Sequence, residues 1–304
     1  MDGGFTPACV TTGAEELKHR AQLLYRRGAS CDWCPRKCGA NRTGGDTGDC
    51  GVGKEIRVAS ANLHFGEEHH FVGTGGSGTV FFSGCNLGCL FCQNHDLSHG
   101  CRGMRLNPAE LARVFMMLQE QGAENLNLVT PSHYPADILM ALATAVEDGF
   151  RMPVVWNSGG YDSIDTLGMF NGVVDIYMPD FKFASNAVGA RMTEVSDYAS
   201  VAKAALAEMV RQTGPELMKD RDIARRGVSV RHLVMPGFYD DSRACLDSIH
   251  AVSPEITVNV MSQYRPAYRA REVPELGQRV DHGEFSAVVA HGKKIGLVNV
   301  LNQA

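Results

Sequence analysis

The chain has 304 residues, 44% of them apolar and 21% charged. That is enough apolar residue for one large domain, or one with a small appendage, and it excludes global disorder. A formal charge of −5 argues against a protein wrapped on nucleic acid, although a local basic patch stays open. No run of about 18 apolar residues occurs, and residues 1–20 lack a basic stretch followed by an apolar one, so no membrane span and no signal peptide is expected. The expected location is cytoplasmic, and there ten cysteines point to metal binding rather than to a disulfide framework.

In chain order, a helix is predicted from about Glu15 to Arg27. The stretch CDWCPRKCGANRTGGDTGDCGVG that follows has too few apolar residues to fold unaided, so a metal has to hold it together. Residues 1–70 are therefore read as a helix and a four-cysteine metal-binding segment, 71–265 as the core, and 266–304 as an extension with one or two strands. In the core, TVFFS (79–83) is a buried strand. NPAELARVFMMLQEQG is a helix with Asn107 as N-cap, Pro108 at the first helical position and Gly122 at its end. Strands follow at 125–130, 153–157, 173–178, 228–235 and 255–261. Between them lie helices at 135–149, over DSIDTLGMF, over VSDYASVAKAALAEMVRQTG and over DSRACLDSIHAV. Six apolar strands alternating with amphipathic helices imply a parallel α/β sheet; six units are too few for a closed eightfold barrel, so a partial (β/α)6 barrel or a doubly wound sheet is expected. The site should then lie at the C-terminal ends of the strands.

Cys85, Cys89 and Cys92 follow the first core strand with the spacing C-x3-C-x2-C. Three thiolates on one tight loop can cap three irons of a 4Fe–4S cube and leave the fourth iron open to a substrate or cosubstrate. The plain alternative is a structural zinc site with a distant fourth cysteine. Upstream, Cys31, Cys34, Cys38 and Cys50 can complete a four-thiolate site, either an auxiliary cluster or zinc; zinc ribbons normally show two C-x2-C pairs, which this segment does not. Cys9, Cys101 and Cys245 have packing as their default role. The run EEHH (67–70) can bind metal, but a solvated loop is the favoured reading. Arg231 and His232 fall within a strand, so they should point into a polar lumen or be paired. Gln263, Tyr264 and Arg265 end the last core strand and can face a substrate.

The segment GTGGSGTVFFSGCNLGCLFCQN resembles the cluster loop of the radical S-adenosylmethionine superfamily. Together with NLVTPSHYPADIL, VVWNSGGYDS, VVDIYMPDFKF, VRHLVMPG and NVMSQYRP it is similar to the pyruvate formate-lyase activating-enzyme-like iron–sulfur proteins, over roughly residues 30–265. The resemblance implies a partial-barrel core and a cluster on Cys85, Cys89 and Cys92. It implies that S-adenosylmethionine is cleaved reductively to a 5′-deoxyadenosyl radical that abstracts a substrate hydrogen, and that a flavodoxin or ferredoxin donates the electron. For cosubstrate contacts it implies Phe91 near the adenine (packing is the equal alternative) and Thr130 or Ser132 where relatives carry Gly-Gly-Glu. His133 there is functional or structural. It further implies Asn157 and Ser158 at the ribose or carboxylate, Asp180 and Lys182 as a D-x-K element rather than an exposed ion pair, and His232 and Gln263 nearby. The substrate implied is a glycyl-radical protein. An epimerase or mutase acting on a small molecule such as a sugar, with Cys245 as hydrogen donor, is the second reading, and a zinc module without redox chemistry the third. No nucleic acid or membrane partner is expected.

Overall fold

The six strands read from the sequence all form, and they lie side by side. The structure, a computed structural model, describes residues 5–303. In chain order the elements are α1 (Ala8–Thr12), α2 (Ala14–Arg27), β1 (Ile56–His64), α3 (His69–Val72), β2 (Ser77–Phe82), α4 (His95–Ser98), β3 (Met104–Leu106), α5 (Pro108–Glu120), β4 (Leu126–Val129), α6 (Pro135–Glu147), β5 (Val154–Ser158), α7 (Ile164–Met169), β6 (Ile176–Pro179), α8 (Asn186–Met192), α9 (Tyr198–Thr213), β7 (Met218–Asp220), β8 (Ile223–Leu233), α10 (Tyr239–Val252), β9 (Thr257–Met261), α11 (His282–Lys294) and β10 (Asn299–Gln303). The strand order is β10-β9-β8-β6-β5-β4-β2-β1-β3 with β7 paired to β8. From β2 to β10 the path is parallel, and β1, β3 and β7 pair antiparallel.

Alternation along the strands sorts the side chains into two faces. Leu128, Trp156, Val230 and Val258 join the main core under the helices, whereas Val155, Ile176 and Met178 form a separate cluster with Phe71 of α3. On the α3 side the register also places Asn127 beside Val155, Asn157 beside Met178, and Asn259 beside Arg231, with Asp180 bridged to Arg231. One face of the sheet is thus apolar under helices and the other is partly polar.

The helices obey their local signals. In α5 the buried Leu111, Ala112, Phe115 and Leu118 recur at helical spacing, and Asn107 and Glu110 form a capping box, with Glu110 N donating to Asn107 Oδ1 at 2.9 Å and Asn107 N to Glu110 Oε2 at 2.8 Å. Asn107→Ala is expected to cost about 1 kcal/mol in a urea melt, the usual worth of an N-cap, with an unchanged denaturant slope.

Four expectations need correction. Residues 56–64 were expected to belong to a metal-bound segment but form β1, an antiparallel neighbour of β2; only Ile56 and Val58 of that strand are fully buried, so its pattern is weak. The same segment is not set apart, because Leu17, Leu24 and Trp33 join the main core and Tyr25 Oη donates to Asp137 Oδ1 of α6 at 2.8 Å. The strand expected at 228–235 starts at Ile223, because Arg221 and Asp222 turn the chain with φ of 50° and 67° into a hairpin with β7. In the C-terminal extension the run SAVVAHGKK is helical, since Phe285, Val288, Val289 and Gly292 fall on one buried helix face, and one strand, β10, follows it.

Candidate metal centre

The loop after β2 is held by main-chain bonds from several distant segments. Cys85 N donates to Cys50 O at 3.1 Å, Gly84 N to Leu97 O at 3.0 Å, Leu90 N to Met192 O at 3.0 Å, Glu194 N to Leu87 O at 2.9 Å, and Arg269 N to Leu90 O at 2.9 Å. Asn86 Nδ2 donates to Tyr161 O at 2.8 Å and Arg36 Nε to Asn86 O at 2.6 Å. A loop fixed from outside in this way presents its side chains without needing a core of its own.

Cys85, Cys89 and Cys92 are free thiols that sense one another's charge. Burial pushes the Cys85 thiol up, while the N–H groups of Leu87 and Gly88 and the ammonium of Lys182 favour its thiolate. Burial also pushes Cys89 up, against Lys182. Lys182 Nζ lies 2.5 Å from Asp180 Oδ2. Burial works against the lysine's charge, but the Asp180 carboxylate outweighs it, joined by Cys89 and Cys92 when these are thiolates, so the ammonium persists. The pair is mostly covered, with side chains 20% and 30% exposed, which departs from an ordinary exposed salt bridge. Gly160 makes room for it. A Cβ there would stand 2.1 Å from Asp180 O, and φ is +78°. Tyr198, which the sequence reading passed over, ties this corner together. Lys182 N donates to its Oη at 2.9 Å, and that hydroxyl lies 2.9 Å from Gly159 O and 3.1 Å from Asp180 O.

The structure sorts the other residues singled out from the sequence. Thr130 follows β4 at φ 59°, an uncommon conformation for a β-branched residue, and its N–H donates to Asn157 O at 2.8 Å. Asn157 and Asp180 share the polar face, whereas Ser158 and His232 alternate onto the helix face. Ser132 and Ser158 both donate to Asp162, at 2.6 Å and 2.5 Å, and Trp156 Nε1 reaches the same carboxylate at 3.3 Å. Burial pushes Asp162 up and the two serine hydroxyls hold it down. The sequence showed Asp162 only as the polar residue after GGY, with no sign of its partners. Phe91 is buried, edge-on to Phe183 at 6.1 Å. Gln263 is exposed beside the cluster loop, its carbonyl 3.4 Å from Gln93 Nε2. Tyr264 turns inward and donates to Leu276 O at 2.7 Å, and Arg265 is exposed. Cys245 is fully buried in α10, its sulfur 3.9 Å from Asp241 Oδ2.

EEHH is not a solvated loop. Glu67 and Glu68 are both paired with Arg231, and Glu68 also accepts from Asn259 Nδ2 at 2.6 Å and Glu67 from Asn127 Nδ2 at 3.3 Å. Side chains of β4, β8 and β9 thus meet at one pair of adjacent carboxylates. Arg231 is paired, as its place within a strand required.

Three histidines are buried without access to water. His133 Nε2 lies 2.9 Å from Ser83 O, and His232 Nδ1 lies 2.7 Å from Phe181 O. Loss of water lowers His70 to about 4, His133 to about 3 and His232 to about 4. Each therefore adds stability that is full above the ordinary value of about 6.5 and lost as pH falls through its folded value. In an NMR titration these three rings are expected to stay neutral at about pH 5; rings that are already protonated there would contradict the burial.

Cys31, Cys34, Cys38 and Cys50 also sense one another's charge, and Cys101 senses Cys50. Among the described residues no three His, Cys, Asp or Glu side chains converge closely enough to hold a single metal ion. The thiols lie on two loops that touch through Cys85 N and Cys50 O. Among the described residues no helix is long and apolar enough to cross a membrane.

Comparison with known proteins adds two findings. Residues 71–173 match the family described as a 4Fe-4S single cluster domain, a span that contains Cys85, Cys89 and Cys92 and excludes the four upstream cysteines. An uncharacterized protein of Methanocaldococcus jannaschii is 33% identical over 276 residues, covering 88% of this chain and 75% of that protein.

Proposed function

We propose that this chain, which belongs to the family of that Methanocaldococcus jannaschii protein, is a radical S-adenosylmethionine enzyme of the activating-enzyme type. The observation that carries the reading is the Lys182–Asp180 pair standing against Cys89 and Cys92 at the C-terminal end of a parallel strand. The donor set fits a 4Fe–4S cluster. Three soft thiols stand on one fixed loop, free of any disulfide, and thiolates are the usual ligands of such a cube of irons. When bound, such a cluster with an open corner supplies the electron that cleaves S-adenosylmethionine to methionine and a 5′-deoxyadenosyl radical.

The protein's own residues then have definite tasks. The Lys182 ammonium pairs with the cosubstrate carboxylate, and Asp180 keeps that ammonium charged and in place. Thr130 and Asn157, linked by their main chains on the strand ends, offer oxygens to the cosubstrate's polar groups. Ser132 and Ser158 are oriented by Asp162, so their role is to shape the loops after β4 and β5. Leu87 and Phe91, both buried, keep water from the thiols. The meeting of β4, β8 and β9 side chains at Glu67 and Glu68 supports reading the sheet as a partial barrel around a polar interior. Cys245 lies in the helix layer, away from that interior, so it is not placed as the hydrogen donor that the epimerase reading asks of it.

Anaerobically reconstituted protein given S-adenosylmethionine and dithionite should form 5′-deoxyadenosine. An iron-loaded protein that forms none overturns the reading.

A further inference from the structure

We propose that Cys31, Cys34, Cys38 and Cys50 hold a second iron–sulfur cluster, and that this cluster passes electrons to the centre on the loop after β2 across the contact between Cys50 and Cys85. The second site stands on its own geometry; only the electron's destination rests on the function proposed above.

Backbone bonds build the site. Cys31 N donates to Ala40 O and Gly39 N to Cys31 O, both at 3.0 Å, and Lys37 N donates to Cys34 O at 3.0 Å, which folds three cysteines onto one short loop. Gly48 N to Val52 O at 3.1 Å brings Cys50 back to them. A Cβ at Gly48 would lie 3.1 Å from Cys38 Sγ and 3.6 Å from Cys50 Sγ, so these sulfurs face the same space. Three of the thiols accept an N–H from the residue two places on: Cys31 from Trp33, Cys34 from Arg36 and Cys50 from Val52.

Arg42 supplies an independent observation. It is 2% exposed, and none of its hydrogen bonds among the described residues goes to a carboxylate; the buried Asp137 of α6 feels its charge without bonding to it. Its Nε donates to Gly53 O at 2.8 Å, Nη2 to His133 O at 3.3 Å, and Nη1 lies 3.7 Å from Cys50 Sγ. The guanidinium stacks at 4.9 Å from Trp33 and 5.8 Å from Tyr134. A guanidinium does not lose its proton, so a buried one needs a counter-charge. Asp137 supplies part of it without a hydrogen bond, and four thiolates around a metal centre carry net negative charge on the side where Nη1 meets Cys50 Sγ.

The two loops touch. Cys85 N donates to Cys50 O at 3.1 Å, the Asn86 side chain reaches the Cys34 thiol, and Gly84 permits the approach, since a Cβ there would stand 2.7 Å from Cys50 O. Two adjacent residues of the first loop therefore contact two ligands of the second. A redox-silent zinc gains nothing from that contact, whereas a cluster gains a path of one hydrogen bond. One electron enters from a low-potential flavin or iron–sulfur protein, reduces the second cluster, and moves on to the first, which returns the second to its oxidised state. No bond and no proton changes hands.

The test counts metal and spins in anaerobically purified protein. Wild type should hold about eight irons per chain, and the triple variant Cys85→Ser/Cys89→Ser/Cys92→Ser about four, with its own electron paramagnetic resonance signal after dithionite. About four irons in wild type and none in the triple variant, or zinc in the triple variant, overturns the second cluster; the wild-type count needs no substitution to fold. For the relay, Cys31→Ser/Cys34→Ser should lose at least about tenfold in 5′-deoxyadenosine yield with reduced flavodoxin as donor. With dithionite, small enough to reach the first centre directly, the loss should be clearly smaller, and an equal loss with both donors overturns the relay. An undiminished yield with flavodoxin overturns the relay. Wild type holding about eight irons yet making no nucleoside would instead overturn the radical function and leave the second cluster standing.

Discussion

Cys89→Ala is expected to strip iron from the loop after β2 and reduce 5′-deoxyadenosine formation by more than about 100-fold, since even the outer partners of a metal cost roughly 10–100-fold when removed. Cys89 is 8% exposed, so no water can take the place of its sulfur at low cost. The fold should survive, because the loop is fixed by main-chain bonds such as Leu90 N to Met192 O at 3.0 Å, which do not involve the sulfur. Lys182→Met gives the contrasting result. It should keep iron, leave Asp180 without its partner, and raise the concentration of S-adenosylmethionine needed for half-maximal turnover by about tenfold or more. Iron per chain, visible absorption and the nucleoside assay separate the two. Wild-type iron and yield in Cys89→Ala would remove the thiol from the centre.

The cysteine loop was readable in the sequence because its meaning lies in spacing over eight residues. The same holds for the Asn107 cap, whose partner Glu110 is three positions away, and for the parallel strands, which are short continuous apolar runs. What was not readable depends on distance along the chain or on alternation. Asp162 serves Ser132 from a different loop, thirty residues on, as well as Ser158 four residues before it, and nothing in the sequence pairs it with Ser132. Ser158 and His232 looked equivalent to Asn157 and Asp180 until register placed them on the opposite face of the sheet. β1 was missed because ASANLH carries small and polar residues and only Ile56 and Val58 are fully buried. EEHH read as a solvated loop because the cation that neutralises it lies 163 residues downstream.

That distant pairing sets the largest stability effect. Arg231→Met is expected to destabilise the protein by about 3–5 kcal/mol near pH 7, because it strands Glu67 and Glu68 in the interior without a cation. The pH dependence carries the sign. In the intact protein burial would raise Glu68, but Arg231 and Asn259 outweigh it and hold the carboxyl at about 2. The pair's contribution is therefore full above the ordinary carboxylate value and lost as pH falls toward 2. Without Arg231, burial, the largest single effect, outweighs the remaining Asn259 bond, so the folded value rises above the ordinary one. The variant should then recover stability as pH falls from about 7 to 5, where the intact pair holds its contribution constant. Glu67→Gln/Glu68→Gln/Arg231→Met should regain most of the loss near pH 7, since removing all three charges leaves none unpaired. Urea melts at both pH values read all of this, and an Arg231→Met variant as stable as wild type would show that the carboxylates do not need the cation. The consequence reaches the site as well, because Phe181 N donates to Arg231 O at 2.8 Å and Asp180 bridges to the same residue. The strand that carries the buried cation is thus also the support beneath Asp180 and Lys182, so the variant that survives in the cold should still bind S-adenosylmethionine less tightly than wild type.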